Sequence, residues 1–221
     1  MSKIKAVLFD FDGTLVDTNP AVINSWQYMA SKVLGDVRFP LDYLTATFGK
    51  PLVDCMAQTI IDYDIKGYTP TELCKIYREY QRFNQDKMGD PFPGIKDLVY
   101  ALKEKGYKLG IVTSRKNQDT RNQLVRTDID IFDAVVGMDD TQIHKPEPEP
   151  CLICCQKLGV DPSEAIMIGD SRYDIACGNN AGAATVFVTW SACEKAENLE
   201  GMFKPDHVVD TAEEIEKIVL G

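Results

Sequence analysis

Beyond residue 94 the chain alternates short apolar runs with amphipathic stretches, and that alternation limits the fold more than any other feature. Residues 107–113 ("YKLGIVT"), 132–137 ("FDAVVG"), 165–170 ("AIMIGD"), 184–189 ("ATVFVT") and 206–210 ("DHVVD") read as strands. Residues 95–105, 117–125, 149–158, 173–180 and the stretch from Ala212 onward read as helices. Parallel neighbours need long crossovers, which helices supply, so strand–helix repetition implies a parallel sheet with helices on both faces. The apolar run 6–9 ("AVLF") adds a strand near the N-terminus. The expected class is α/β, a Rossmann-like parallel sheet with an inserted all-helical domain.

That insertion follows the first strand. Between Asn19 and Met88 no convincing strand pattern occurs. Asn19 reads as an N-cap with Pro20 at the first helical position, and Val22, Trp26, Met29 and Val33 recur at helical spacing. Further helices are expected over 51–61 and 70–87. The latter opens on a capping box, Thr69 and Glu72 around Pro70. "GDPFPG" (89–94) is the strongest punctuation in the chain. The expected organisation is a core of 1–17 and 90–221 and a helical domain of 18–89, joined by two linkers that can act as hinges.

In open parallel sheets ligands bind beyond the carboxyl ends of the strands. Asp10, Asp12, Thr113 and Asp170 all fall at such ends, and Gly13 permits a sharp turn directly after the two aspartates. Each has a bland explanation taken alone. Asp10 and Asp12 could form an Asx turn, and Thr113 and Ser114 a helix cap. Lys145 could be a solvated loop residue, and Asp170 and Asp174 first-turn acids. These accounts are independent of one another, and none predicts the ordered set.

The wider composition excludes some classes. A net charge of −10, from 24 basic and 34 acidic residues, argues against nucleic acid and anionic membrane as partners. No apolar stretch reaches the ~20 residues of a membrane span. Seven irregularly spaced cysteines suit reduced thiols, hence a cytoplasmic location. Cys151, Cys154 and Cys155 read as the buried face of a helix rather than a metal cluster. His144 is expected in a loop, His207 in a structural role, and Trp26 in the core of the helical domain. A monomer is favoured over a dimer.

"DFDGT", the strand-end hydroxyl of "GIVTSR", the lysine of "HKPEPEP" and "GDSRYD" occur in this order. Together they resemble the four motifs of the haloacid dehalogenase-like superfamily, phosphatase branch, and the helical insertion is similar to its type 1 cap. The resemblance implies Asp10 as nucleophile, Asp12 as general acid and base, and Lys145 as the neutralising cation. It implies phosphate binding by Thr113, Ser114 and Gly13. It also implies a magnesium site of Asp10, Asp12 (through its backbone carbonyl), Asp170 and Asp174, the last either direct or through water. Electrostatics point the same way. At ~4 Å and an effective dielectric of ~20, each like-charge pair costs on the order of 4 kcal/mol, more than one lysine can offset when a phosphate dianion approaches. All-oxygen ligands suit magnesium over zinc.

The resemblance also narrows the substrate. An acid at position 12 separates the chain from the dehalogenases and phosphonatases. A histidine that related sugar phosphomutases carry near Val22 and Ile23 is absent. "FGKPL" (48–52) resembles the cap loop of phosphoglycolate phosphatases and bacterial pyrophosphatases, which marks Gly49 and Lys50 as specificity residues. The expected activity is hydrolysis of a small phosphorylated metabolite such as 2-phosphoglycolate. Inorganic pyrophosphate hydrolysis and sugar phosphate mutation are the alternatives.

Overall fold

The computed structural model describes residues 4–48, 50–84, 87–191 and 194–221. The chain divides into two compact units, one of Met1–Asp17 with Asp90–Gly221 and one of Thr18–Gly89.

The first unit holds a six-stranded sheet. Its strands are β1 (Ala6–Phe9), β2 (Lys108–Val112), β3 (Ala134–Val136), β4 (Ala165–Gly169), β5 (Ala184–Val188) and β6 (His207–Val209). Their order is β3-β2-β1-β4-β5-β6, and every pairing is parallel. This is the doubly wound order, which reverses direction between β1 and β4. Phe9 lies opposite Ile111 on one side and Ile168 on the other, so β2 and β4 each run one residue past the end of β1.

Strand periodicity of two distributes the core to both faces. Val7 and Phe9 join Leu98, Val99 and Leu102 of α5 (Ile95–Glu104), Leu124 of α6 (Asn117–Arg126), and Ile215 and Val219 of α9 (Ala212–Leu220). Ala6 and Leu8 join Cys151, Cys154 and Cys155 of α7 (Glu149–Leu158) and Cys177 of α8 (Arg172–Ala181). With helices on both sides, β1 and β4 are wholly buried, which is why parallel strands read as unbroken apolar runs. The thiols of α7 are therefore core-filling groups; the six described cysteines are all free and buried. His144 lies in a loop, its Nδ1 3.1 Å from the Thr141 hydroxyl, and His207 opens β6.

The second unit is helical among its described residues: α1 (Asn19–Val33), α2 (Leu41–Thr45), α3 (Leu52–Asp62) and α4 (Pro70–Phe83). Thr69 and Glu72 form the expected capping box of α4. The N-cap of α1 is Thr18 rather than Asn19, which places Pro20 within the first turn. Trp26 is buried at the centre of this unit's own core, edge-on to Phe39 and Tyr77. Among the described residues no helix is long and apolar enough to cross a membrane.

Candidate active site

Asp10 follows β1 and Asp170 follows β4, so the reversal of strand order sets these two carboxylates side by side at the sheet's carboxyl edge. The Asp10 amide continues the ladder, donating to the Ile168 carbonyl at 2.9 Å. Asp174 arrives from the first turn of α8. Ser171 caps that helix, and its amide and hydroxyl donate to Asp174 Oδ2 at 3.1 and 2.5 Å. Oxygens of Asp10, Asp170 and Asp174 all lie within 4.8 Å of one another, and all three residues are buried.

Lys145 comes from the loop after β3. Asn180 of α8 donates to the neighbouring Pro146 carbonyl at 3.1 Å and so ties the loop down. The Lys145 Nζ donates to Asp10 Oδ1 at 2.8 Å, Asp174 Oδ1 at 2.5 Å and the Val112 carbonyl at 3.3 Å. Its side chain is only 6% exposed. Burial opposes its charge, but Asp10 and Asp174 outweigh that and hold the ammonium above the ordinary lysine range. Burial also drives Asp10 well above the ordinary carboxylate range; Lys145 opposes that shift, and Asp174 and Asp170 add to it. Asp170 is pushed up to about 7, chiefly by burial and then by the charge of Asp174.

Gly13 makes this packing feasible. Its φ is +79°, a conformation that side chains resist, and a Cβ there would stand 2.2 Å from Asp170 Oδ2. At Gly169 a Cβ would likewise meet Asp174, 2.2 Å from its Cβ. The Thr14 hydroxyl approaches Asp170 Oδ1 at 3.5 Å, and Trp190 Nε1 donates to the Thr14 carbonyl at 3.2 Å. Ser191 is buried beside Gly13. Its hydroxyl lies near enough to Asp170 to favour the charged carboxyl, yet has no hydrogen-bond partner among the described residues.

These features fit a cation. Three carboxylates facing one ammonium leave an excess of negative charge when all are ionised, and a buried hydroxyl with no partner among the described residues borders the cluster. The donor set is all oxygen, which suits a hard divalent ion.

Asp12 is placed differently from the expectation that one lysine and one ion serve the whole acidic rim. Its carboxylate stands outside the triad and pairs with a second cation, Arg115, whose Nη1 donates to Asp12 Oδ1 at 2.9 Å. Arg115 directly follows Ser114 in "TSR", but nothing in that spacing marks it as a partner of Asp12. Thr113 is buried at the end of β2, its amide bonded to the Val136 carbonyl and its hydroxyl accepting from the Arg115 amide at 3.2 Å. Ser114 is half-buried beside it. Lys50 is exposed in the helical unit, and Gly49 lies outside the described residues.

The chain matches the haloacid dehalogenase-like hydrolase family over residues 7–188. It belongs to that family. As such it is an enzyme of the hydrolase and phosphatase kind. A Caldanaerobacter subterraneus protein provisionally named pyrophosphatase PpaX is 35% identical, over 99% of this chain and 96% of that one. The Bacillus mycoides pyrophosphatase PpaX is 34% identical, over 94% of this chain and 93% of its own length. Among solved structures, a Haemophilus somnus protein described as a predicted phosphoglycolate phosphatase superposes with a TM-score of 0.85 at 25% identity, covering 99% of both chains.

Proposed function

We propose that this haloacid dehalogenase-like hydrolase cleaves small phosphorylated substrates, inorganic pyrophosphate first among them, through phosphorylation of Asp10. One observation carries the reading: a buried ammonium bonded to Asp10, in a cluster with two further buried carboxylates at the strand-order reversal. Structural ion pairs also occur in protein interiors, but three acids around one lysine are hard to justify as mere packing.

In this reading an Asp10 carboxylate oxygen attacks phosphorus. The new O–P bond forms as the bond to the leaving oxygen breaks. Lys145 offsets charge on Asp10 and on the phosphoryl group in transit. Thr113, through its hydroxyl, and the amide of Ser114 hold phosphoryl oxygens, and Gly13 keeps the approach open. Asp12 gives a proton to the leaving oxygen and then takes one from water. That water attacks the phosphorus on Asp10, the Asp10–phosphorus link breaks, and orthophosphate leaves. A magnesium ion held by Asp10, Asp170 and the Asp12 carbonyl, with Asp174 as ligand or outer partner, would supply positive charge for the incoming phosphate. The helical segment 18–89 serves as the cap domain, with Lys50 as its specificity residue.

The comparisons favour pyrophosphate over 2-phosphoglycolate. Relatives named pyrophosphatase PpaX are 32–36% identical over nearly their full length, whereas the phosphoglycolate description accompanies structures at about 25%. The test is orthophosphate release from pyrophosphate, 2-phosphoglycolate and p-nitrophenyl phosphate. Release is expected to need magnesium, stop in chelator, fall ~10³-fold or more in Asp10→Asn, and be most efficient with pyrophosphate. Full turnover in chelator refutes the chemistry; higher efficiency on 2-phosphoglycolate refutes the substrate.

A further inference from the structure

The roles proposed above leave Arg115 unused, although it is the second cation of the rim. Contacts on several sides hold it. Its amide donates to the Thr113 hydroxyl, its guanidinium lies 5.1 Å from the centre of the buried Phe11 ring, and its Nη1 donates to Asp12 Oδ1. The side chain is one-fifth exposed, so the group is partly withdrawn from water. Lys145 serves the nucleophile, and Arg115 serves the acid that meets the departing oxygen.

We propose that Arg115 is the leaving-group cation of the site, selecting substrates whose departing fragment is itself anionic: phosphoric anhydrides ahead of esters of uncharged alcohols. The proposal rests on the hydrolase reading and deepens it. Two physical consequences of the geometry point the same way.

First, a departing anion would otherwise face the bare carboxylate of Asp12. A guanidinium at that carboxylate offsets the repulsion, and its planar fork matches phosphate oxygens. Second, an alcohol that takes its proton from Asp12 departs uncharged and gains little from a guanidinium. An alkoxide leaves poorly without a full proton from its acid. An anhydride needs far less help: as the Asp10 oxygen bonds to phosphorus, the electron pair of the broken P–O bond stays on a stable phosphate anion. One arginine thus aids an anionic leaving group and offers little to an uncharged one.

The experiment compares kcat/KM for inorganic pyrophosphate with kcat/KM for ethyl phosphate, in magnesium, for the parent chain, Arg115→Met and Arg115→Lys. The ratio of the two is expected to fall ~10-fold or more in Arg115→Met, the scale of one lost charge-assisted hydrogen bond, and to be largely restored in Arg115→Lys. Inhibition by imidodiphosphate, a non-hydrolysed pyrophosphate mimic, is expected to weaken by a similar factor in Arg115→Met while inhibition by orthophosphate changes less. An unchanged ratio, or equal weakening of both inhibitors, overturns the proposal and leaves Arg115 only the positioning of Asp12. Should Arg115→Met fail to fold, the Arg115→Lys ratio decides: a loss as large as ~10-fold would overturn a role based on charge. A parent chain that releases phosphate from neither substrate refutes the hydrolase reading itself, and is thereby distinguished from a failure of Arg115 alone.

Discussion

A side chain at position 13 and the carboxylate of Asp170 compete for one space: a Cβ on Gly13 would stand 2.2 Å from Asp170 Oδ2, 2.8 Å from its Cγ and 2.9 Å from the Ser191 hydroxyl. Asp170 is buried and its neighbours are packed, so it cannot simply swing aside. Gly13→Ala would also force alanine to a φ of +79°, which costs ~1–2 kcal/mol before any clash. Overpacking adds ~1–3 kcal/mol. We expect Gly13→Ala to lower stability by about 2–5 kcal/mol and phosphate release by ~100-fold or more. Urea unfolding and turnover measure the two, and a stable, fully active variant would contradict the packing described.

Lys145→Met tests the ion pairs. Methionine nearly conserves the stem but removes the ammonium from Asp10 and Asp174. Breaking a buried pair from one side typically costs ~3–5 kcal/mol, because the remaining charge has no partner. A destabilisation of that size is expected in chelator. Magnesium should recover part of it, since a ligand that binds only the folded chain stabilises it by mass action. The check is a pair of urea curves with and without the ion. Identical curves would mean that the acids do not hold it.

Much of this arrangement was legible in the sequence because its causes are local. Buried parallel strands are short apolar runs, and α7 lies where its helical pattern lies, at Glu149–Leu158. The four ordered motifs named Asp10, Lys145, Asp170 and Asp174, and topology brought them together. What the sequence does not mark depends on tertiary context. The five-residue α2 buries only Leu44, too little to leave a period. Helix α4 stops at Phe83, short of the expected Lys87, where Asn84 donates both its amide, at 3.0 Å, and its side chain, at 2.9 Å, to the Tyr80 carbonyl. Thr14 and Ser191 border Asp170 because the loop after β5 abuts the loop after β1, a contact between residues some 180 positions apart. The Arg115–Asp12 pair spans 103 positions and has no periodic signature.

Asp133 gives a pH dependence away from the active site. It sits between α6 and β3, takes the Leu109 amide at 2.9 Å and pairs with Lys103 at 2.6 Å. Burial alone would raise its pKa. The Lys103 ammonium and the Leu109 amide outweigh burial, so the carboxyl lies below the ordinary aspartate value. A depressed folded-state pKa stabilises the fold above the unfolded value, ~4, and that contribution is lost as pH falls through the folded value. Asp133→Asn removes the charge but keeps an acceptor for Leu109. We expect it to lower stability by up to ~1 kcal/mol at pH 7, given the partial exposure of the pair. The gap from the parent chain should narrow below pH 4. Thermal midpoints of the two proteins across that range measure it, and a gap that widens in acid would reverse the assigned sign.

Ser171 separates helix capping from ligand positioning. Its hydroxyl and amide both donate to Asp174 Oδ2, while Lys145 occupies Oδ1, so the carboxylate is held from two sides. Ser171→Ala removes the hydroxyl alone. Losing an N-cap costs ~1 kcal/mol in stability, and a purely structural serine would show nothing more. Here the same change also loosens a residue of the acidic cluster, and loss of an outer-shell partner typically weakens metal binding ~10–100-fold. We therefore expect weaker magnesium binding by calorimetric titration, at least ~10-fold, together with the modest drop in thermal midpoint. Ser171→Thr, which keeps the hydroxyl, should restore both. A stability loss with magnesium affinity unchanged would confine Ser171 to the helix cap and leave Asp174 fixed by Lys145 alone.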